Sequence, residues 1–228
     1  MNKILCFDAS NNSCSVAVSF GQEIISFEQE LRPSMQAERL MVMVQSVLIN
    51  AHLKYQDLDY LAVTVGPGSF TGVRIGLAAA KGIIHATNIK AIGITNFEAA
   101  YYRLTQQVLD FENAIIILNA YRNQQYVQIF DRSKHLSNPI LVDNKDIRQL
   151  IHLHSCSGVN VCTGSGLASV YREIQDMERL IILPRFHTIK ALHIARLADD
   201  MINKGRKAPI EPLYIRPPDA LPTGSSLC

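Results

Sequence analysis

The chain has 228 residues, 48% of them hydrophobic and 18% charged, with a net charge of +2. This supports a sizeable core and excludes a largely disordered chain, and so small a charge argues against a protein that coats nucleic acid. The length suits one large domain or two small lobes. Five cysteines (Cys6, Cys14, Cys156, Cys162 and Cys228) form no C-x-x-C pair. Cys6 and Cys162 lie in apolar runs, as reduced core thiols do, which favours a reducing compartment. The first apolar run stops at Asp8 and no run approaches the ~20 residues of a membrane span. A soluble, cytoplasmic protein without membrane contact is therefore expected.

In chain order, Ile4–Phe7 reads as a buried strand ending at Asp8-Ala9-Ser10, and Asn11-Asn12 as a turn. Ser13–Phe20 returns as a strand with Cys14, Val16, Val18 and Phe20 on one face, and Glu23–Gln29 is a third strand. A carboxylate at the first turn of such a meander has two readings. Asp8 and Ser10 could face a phosphate, as in actin-like ATPases and sugar kinases, or Asp8 could bond only its own turn. Pro33-Ser34 opens a helix to about Ala51. Leu40, Val44, Val47 and Leu48 form its core stripe, while Met35, Met41, Val42 and Ile49 extend the apolar surface well beyond that stripe. A helix apolar nearly all round is either central or covered by a partner.

Tyr60 to Gly82 carries the strongest pattern. Leu61, Val63 and Val65 alternate as a strand, Gly66-Pro67-Gly68 stops it, and Ser69 or Thr71 can cap the next helix. Gly72, Gly76 and Ala80 share one face of that helix, so another backbone can approach it closely. The stretch is not a P-loop, because Val73-Arg74 follows Gly72 where Lys and a hydroxyl residue are needed. It also misses the dinucleotide fingerprint, since Gly66, Gly68 and Gly72 leave one residue too many. The helix ends near Asn88. A strand follows at Ala91–Thr95, then a helix to about Leu109, with Asn96 as its expected N-cap.

A second unit starts at Asn113–Ala120. Tyr121-Arg122-Asn123-Gln124 is a hairpin turn, and Gln125–Asp131 the returning strand. An edge strand near Ile140–Val142 follows, then a short helix at Asp146–Leu150. Val159–Thr163 is a strand closed by Gly164-Ser165-Gly166, with a helix at Ala168–Ile174 and a strand at Leu180–Leu183. A helix runs from about Ile189 to Asn203, with Leu192, Ile194, Ala195, Leu197 and Ala198 inward and Gly205 at its end. Pro209–Pro218 is an extended arm and Asp219–Cys228 a polar tail. The hairpin opening thus occurs twice, a duplication read from pattern. Lobes are expected at residues 1–108 and 109–228.

The chain resembles the TsaB (YeaZ) family. The resemblance rests on Phe7-Asp8-Ala9-Ser10 with Cys14-Ser15-Val16-Ala17, Ala37-Glu38-Arg39-Leu40, the run from Gly66 to Gly76, Lys81-Gly82, Asn119-Ala120-Tyr121-Arg122 with Tyr126, and Pro212 to Ala220. Gly-Pro-Gly-Ser-Phe-Thr-Gly and Tyr-Ile-Arg-Pro-Pro-Asp-Ala are its most specific segments. The resemblance implies an α/β, two-lobed actin-like/Hsp70-like ATPase (ASKHA) fold with duplicated βββαβα units. It also implies a non-catalytic subunit that binds and activates the catalytic paralogue TsaD, which transfers a threonylcarbamoyl group to N6 of the adenosine next to the anticodon of tRNAs reading codons that begin with A. The ATPase TsaE joins them, the chain alone forms a homodimer, and tRNA is met through the complex.

On this resemblance the partner surface comprises Met35, Glu38, Met41, Val42, Gln45 and Ile49 of the first helix with Phe70, Gly72, Arg74, Gly76, Ala79, Ala80 and Ile83 of the Gly-rich helix. The paralogue holds its metal with two histidines in an Asn-His-x-Glu-x-His run. Asn96 and Ala100 stand there in this chain, and neither is a fit ligand for a transition metal. No catalytic residue, metal site or resident cofactor is expected, with ATP or ADP considered only at the complex interface. Three departures from the family remove charged or titratable groups: Asn119 for the Asp of Asp-Ala-Arg, Gln36-Ala37 for His-Ser, and Gly164-Ser165-Gly166 for a Gly-Asp-Gly-like turn. The alternative is an ATP-binding phosphotransferase or ATPase of the same superfold, using Asp8 and Ser10. Lys204, Arg206 and Lys207 are candidates for RNA contact, or simply basic residues meeting a helix C-terminus.

Overall fold

The computed structural model describes residues 1–11, 13–108, 110–131, 137–154, 158–184 and 189–216. The first half runs β1 (Lys3–Asp8), β2 (Cys14–Phe20), β3 (Glu23–Glu30), α1 (Gln36–Asn50), β4 (Tyr60–Gly66), α2 (Phe70–Thr87), β5 (Lys90–Thr95) and α3 (Asn96–Thr105). The second repeats the order with β6 (Asn113–Asn119), β7 (Gln124–Asp131), β8 (Ile140–Asp143), α4 (Ile147–His154), β9 (Asn160–Thr163), α5 (Leu167–Ile174), β10 (Leu180–Ile182) and α6 (Ala191–Asn203).

Each half builds a five-stranded sheet, ordered β3-β2-β1-β4-β5 and, in the same sense, β8-β7-β6-β9-β10. The three meander strands pair antiparallel and the crossover strands parallel in both. Duplication is therefore present in topology. The layers follow from which residues are apolar on which face. Leu5, Phe7, Val16, Val18, Leu61 and Val63 pack under α1 and α2. Ile4, Cys6, Ala17 and Ala62 face a central layer formed by α3 and α6. Ala114, Ile116 and Leu118 close that layer from the other side, while Ile115, Ile117 and Val127 pack under α4 and α5.

Helix α6 returns from the second half onto β1 and β2. Its first turn is pinned where the Ala191 amide donates to Ser15 Oγ at 2.8 Å. This return buries Ser15, Ala17 and Ser19, so that both faces of β2 are covered, the other by α1. We keep 1–108 and 109–228 as the proposed lobes, with α6 crossing from the second onto the first.

Local chemistry moves two helix starts. Ser34 adopts a left-handed φ of 64°, so α1 begins only at Gln36. Gln36 then ties the helix to the first turn, its Nε2 donating to the Asn11 carbonyl at 2.6 Å. In α3 the cap is Thr95 rather than Asn96. Thr95 Oγ1 accepts from the Glu98 amide at 3.1 Å and Glu98 accepts from the Thr95 amide at 2.9 Å, a capping box. α3 ends at Thr105, short of the expected Leu109, which lies outside the described residues. α4 starts at Ile147 and runs to His154, four residues beyond the expected end. Leu192 and Leu197 of α6 are half-buried, while Asp199 is buried and accepts from Asn2, Gln22 and Asn203.

Candidate partner-binding face and interlobe cleft

The Gly-rich stretch organises the first site. Ser69 caps α2, its Oγ accepting from the Gly72 amide at 3.3 Å. Gly68 lies against the Ser10 carbonyl, and the Ser69 amide donates to that carbonyl at 2.7 Å. Gly72 lies against the Ala9 carbonyl, where any Cβ would collide with it. Gly76 and Ala80 continue the same buried face toward Ala9 and Val63. The close-approaching backbone is thus the β1–β2 turn of this chain. Gly72, Gly76, Ala80 and Ile83, expected at a partner surface, are buried inside the fold instead.

The outward face is carried mostly by α1. Leu40, Met43, Val44, Val47 and Leu48 are buried, whereas Met41, Val42 and Ile49 are exposed at 44%, 51% and 63%. Glu38 and Gln45 are exposed on the same face, and Met35 is half-buried. On the adjoining surface of α2, Ala78 and Gly82 are exposed and Ala79 is half-buried. Among the described residues nothing lies within 4 Å of a Cβ built at Gly82.

Phe70 and Arg74 leave this face and turn to the cleft between the halves. The Arg74 guanidinium carbon lies 3.6 Å from the Phe70 ring centroid. Its Nε donates to the Tyr214 hydroxyl at 3.0 Å. The Phe70 and Tyr214 rings stand 5.8 Å apart. Tyr214 belongs to the C-terminal arm, which the Leu213 amide anchors to the Val65 carbonyl at 2.8 Å. Arg216 then spans to the second half, donating to Gln124 Oε1 at 2.7 Å. The cleft so framed has a volume of about 740 Å³ and is also lined by Tyr121, Arg122 and Tyr126. Sequence reasoning assigned no role to Tyr121, Arg122, Tyr214 or Arg216. The signal was present as aromatic–arginine pairs in the second hairpin turn and in the arm. The remainder of the arm motif, from Pro217, lies outside the described residues, as do Asn12, Cys156, His187 and the tail.

Asp8 and Ser10 are sealed at 1% and 0% exposure. Asp8 Oδ1 accepts from the Ser10 amide at 2.9 Å, Ser10 Oγ at 2.5 Å and Thr64 Oγ1 at 2.6 Å. Asn96 Nδ2 donates to Ser10 Oγ at 2.7 Å and to the Pro67 carbonyl at 2.8 Å. The carboxylate's acceptor positions serve its own turn and β4, which fits the reading in which Asp8 bonds its own turn rather than a phosphate. Asn96 is a strut between two turns, and Ala100 is packed in the core.

Among the described residues no three His, Cys, Asp or Glu side chains are grouped to hold a metal. Cys6, Cys14 and Cys162 are buried thiols. Burial, then the charges of Asp8 and Glu30, pushes Cys14 up to about 11, and burial alone raises Cys6 and Cys162 far from thiolate chemistry. Burial, then the positive charges of Arg103, Lys190 and Arg196, lowers His193 to about 4. Lys204, Arg206 and Lys207 are exposed, and Arg206 pairs with Glu98. No helix among the described residues is long and apolar enough to cross a membrane.

The family described as "TsaD: tRNA N6-adenosine threonylcarbamoyltransferase" matches residues 34–142. The "tRNA threonylcarbamoyladenosine biosynthesis protein TsaB" of Haemophilus influenzae is 27% identical over 229 residues, covering 93% of each chain. The structure "YeaZ from Pseudomonas aeruginosa" superposes with a TM-score of 0.79 at 22% identity, covering 94% of this chain and all of that one. The ROK hexokinase of Thermus thermophilus superposes at TM-score 0.52 and 12% identity over 89% of this chain and 99% of its own, a likeness of fold alone. Two like-ordered sheets sandwiching helices, together with sequence similarity along nearly the whole length, give one conclusion: this chain has the actin-like ASKHA fold and is similar, end to end, to the TsaB (YeaZ) proteins.

Proposed function

We propose that this chain acts in the biosynthesis of N6-threonylcarbamoyladenosine in tRNA as a non-catalytic subunit, docking the outward face of α1 and α2 on the catalytic paralogue TsaD and so activating it. The observation that carries this reading is the row Met41, Val42 and Ile49. These side chains stand in solvent on a helix whose opposite face is fully packed. Apolar surface of this kind, beside the exposed small residues Ala78 and Gly82 of α2, lets another helix pair come close. The same face serves a second copy when the chain is alone, and TsaE joins the assembled pair. The sealed Asp8 turn favours an accessory role over an ATPase.

The test is light scattering during gel filtration, with the chain alone and mixed with TsaD from the same organism. A self-associated chain that gives way to a one-to-one complex is expected. A stable complex buries roughly 1,600 Å². Val42→Asp with Ile49→Asp places two charges in its centre and should weaken pairing at least 100-fold, about 3 kcal/mol. A folded double variant that still pairs as the parent does would refute the assigned face.

A further inference from the structure

The cleft between the halves gathers arginines and exposed aromatic rings. Its lining contains Arg74, Arg122 and Arg216 and, among the described residues, no carboxylate. Three aromatic rings reach solvent there, with Phe70 57%, Tyr121 51% and Tyr214 50% exposed. They stand on opposite walls. Phe70 and Tyr214 form one, braced by Arg74, and Tyr121 projects from the β6–β7 turn on the other.

That turn is held in a costly conformation. Tyr121, Arg122 and Asn123 all have left-handed φ values, of 59°, 55° and 58°. Only Asn is at ease there, and a bulky tyrosine or arginine is not. The turn is fixed from several sides. The Tyr121 amide donates to Asn119 Oδ1 at 2.8 Å, the Asn144 amide to the Asn123 carbonyl at 2.9 Å, and Arg216 reaches Gln124 across the cleft. Strain that the surroundings maintain, at residues that present a ring and a cation to a cleft, points to a ligand.

We propose that this cleft binds a short stretch of single-stranded RNA, with unstacked bases on the Phe70/Tyr214 and Tyr121 rings and phosphates at Arg122 and Arg216. The choice of RNA among anions rests on the tRNA-modification reading above. Arginine beside aromatic rings is the chemistry that holds splayed bases and their backbone. A magnesium-bound nucleotide fits less well. A cation would need carboxylates, which the lining lacks, and the buried Asp8 cannot supply one. A duplex also fits poorly, because its bases are already stacked and cannot reach the rings.

The experiment is fluorescence anisotropy of the full chain with a labelled seven-nucleotide RNA of mixed sequence. An RNA duplex of twelve base pairs and ATP with magnesium serve as the comparison probes. The single strand should bind at least tenfold more tightly than the duplex. Its log affinity should fall against log salt with a slope of about −1.4, since two phosphates are neutralised and each on a single strand contributes about −0.7. Tyr121→Asn and Arg122→Asn suit the left-handed backbone and keep the fold, yet each should weaken binding about tenfold. Ultraviolet cross-links should map to peptides containing Tyr121 or Tyr214. Equal affinity for duplex, or folded variants that bind as the parent does, would overturn the proposal. ATP bound as tightly as the RNA would also overturn it and make the cleft a nucleotide site. Neither variant touches the α1 face, so failure here leaves pairing with TsaD standing. Loss of that pairing with retained RNA binding would separate the two in the other direction.

Discussion

Gly72 and Gly76 lie one turn apart on α2, and replacing each with alanine should have opposite effects. A Cβ at Gly76 would sit 3.7 Å from both Ala9 Cβ and Val63 Cγ2, ordinary contact. Gly76→Ala therefore gains helix propensity without a clash, about 0.5–1 kcal/mol. A Cβ at Gly72 would lie 3.2 Å from the Ala9 carbonyl carbon and nearer still to its oxygen. That neighbour is backbone of the β1–β2 turn and cannot rotate away. Overpacking costs ~1–3 kcal/mol and, against main chain, more. Offset by the propensity gain, Gly72→Ala should lose about 1–3 kcal/mol. At about 2–4 °C per kcal/mol for a chain of this size, Gly76→Ala melts a few degrees higher and Gly72→Ala roughly 3–10 °C lower. The assay is thermal unfolding by circular dichroism at one protein concentration, because self-association shifts the midpoint. Equal melting of the two variants would refute the packing of α2 on Ala9. It would also reopen the glycine face as a partner surface.

Two further outcomes are expected. His193 is neutral in the fold because burial and three cations lower it from 6.5 to about 4, while its Nδ1 accepts the Lys190 amide at 3.2 Å. The unfolded chain binds the extra proton first, so this contribution is full above pH ~6.5 and falls as pH drops toward ~4, by about 2 kcal/mol at pH ~5. His193→Gln keeps an acceptor at the cap and should flatten that part of the stability–pH curve. An unchanged curve would place the dependence elsewhere. Asp8→Asn substitutes an amide for a carboxylate that accepts from three donors at one oxygen, and should cost roughly 2–4 kcal/mol in chemical denaturation. Magnesium-ATP should shift the melting of neither form. A shift in the parent that Asp8→Asn abolishes would restore the phosphate role.

The strands and helices were legible because local pattern determines them. Alternation along Tyr60–Gly66, the Ser69 cap and the repeated hairpin at Asn113–Asp131 each need only neighbours in sequence to form. The family likeness was legible for a similar reason, since the Gly-Pro-Gly turn and the Pro-Leu-Tyr-Ile-Arg arm are contiguous words. Which side of a helix meets what was not legible. Small residues at 72, 76 and 80 signal close approach, but only the tertiary structure decides that Ala9 of the same chain approaches them. Alternation in β2 likewise conceals that α6, some 170 residues later in sequence, buries Ser15 and Ala17 on the other face. Asp8 had two readings until Ser10, Thr64 and Asn96 closed around it. The arginine–aromatic cleft joins residues near 70, 121 and 214, and sequence spacing cannot express such a site because long-range packing alone brings them together.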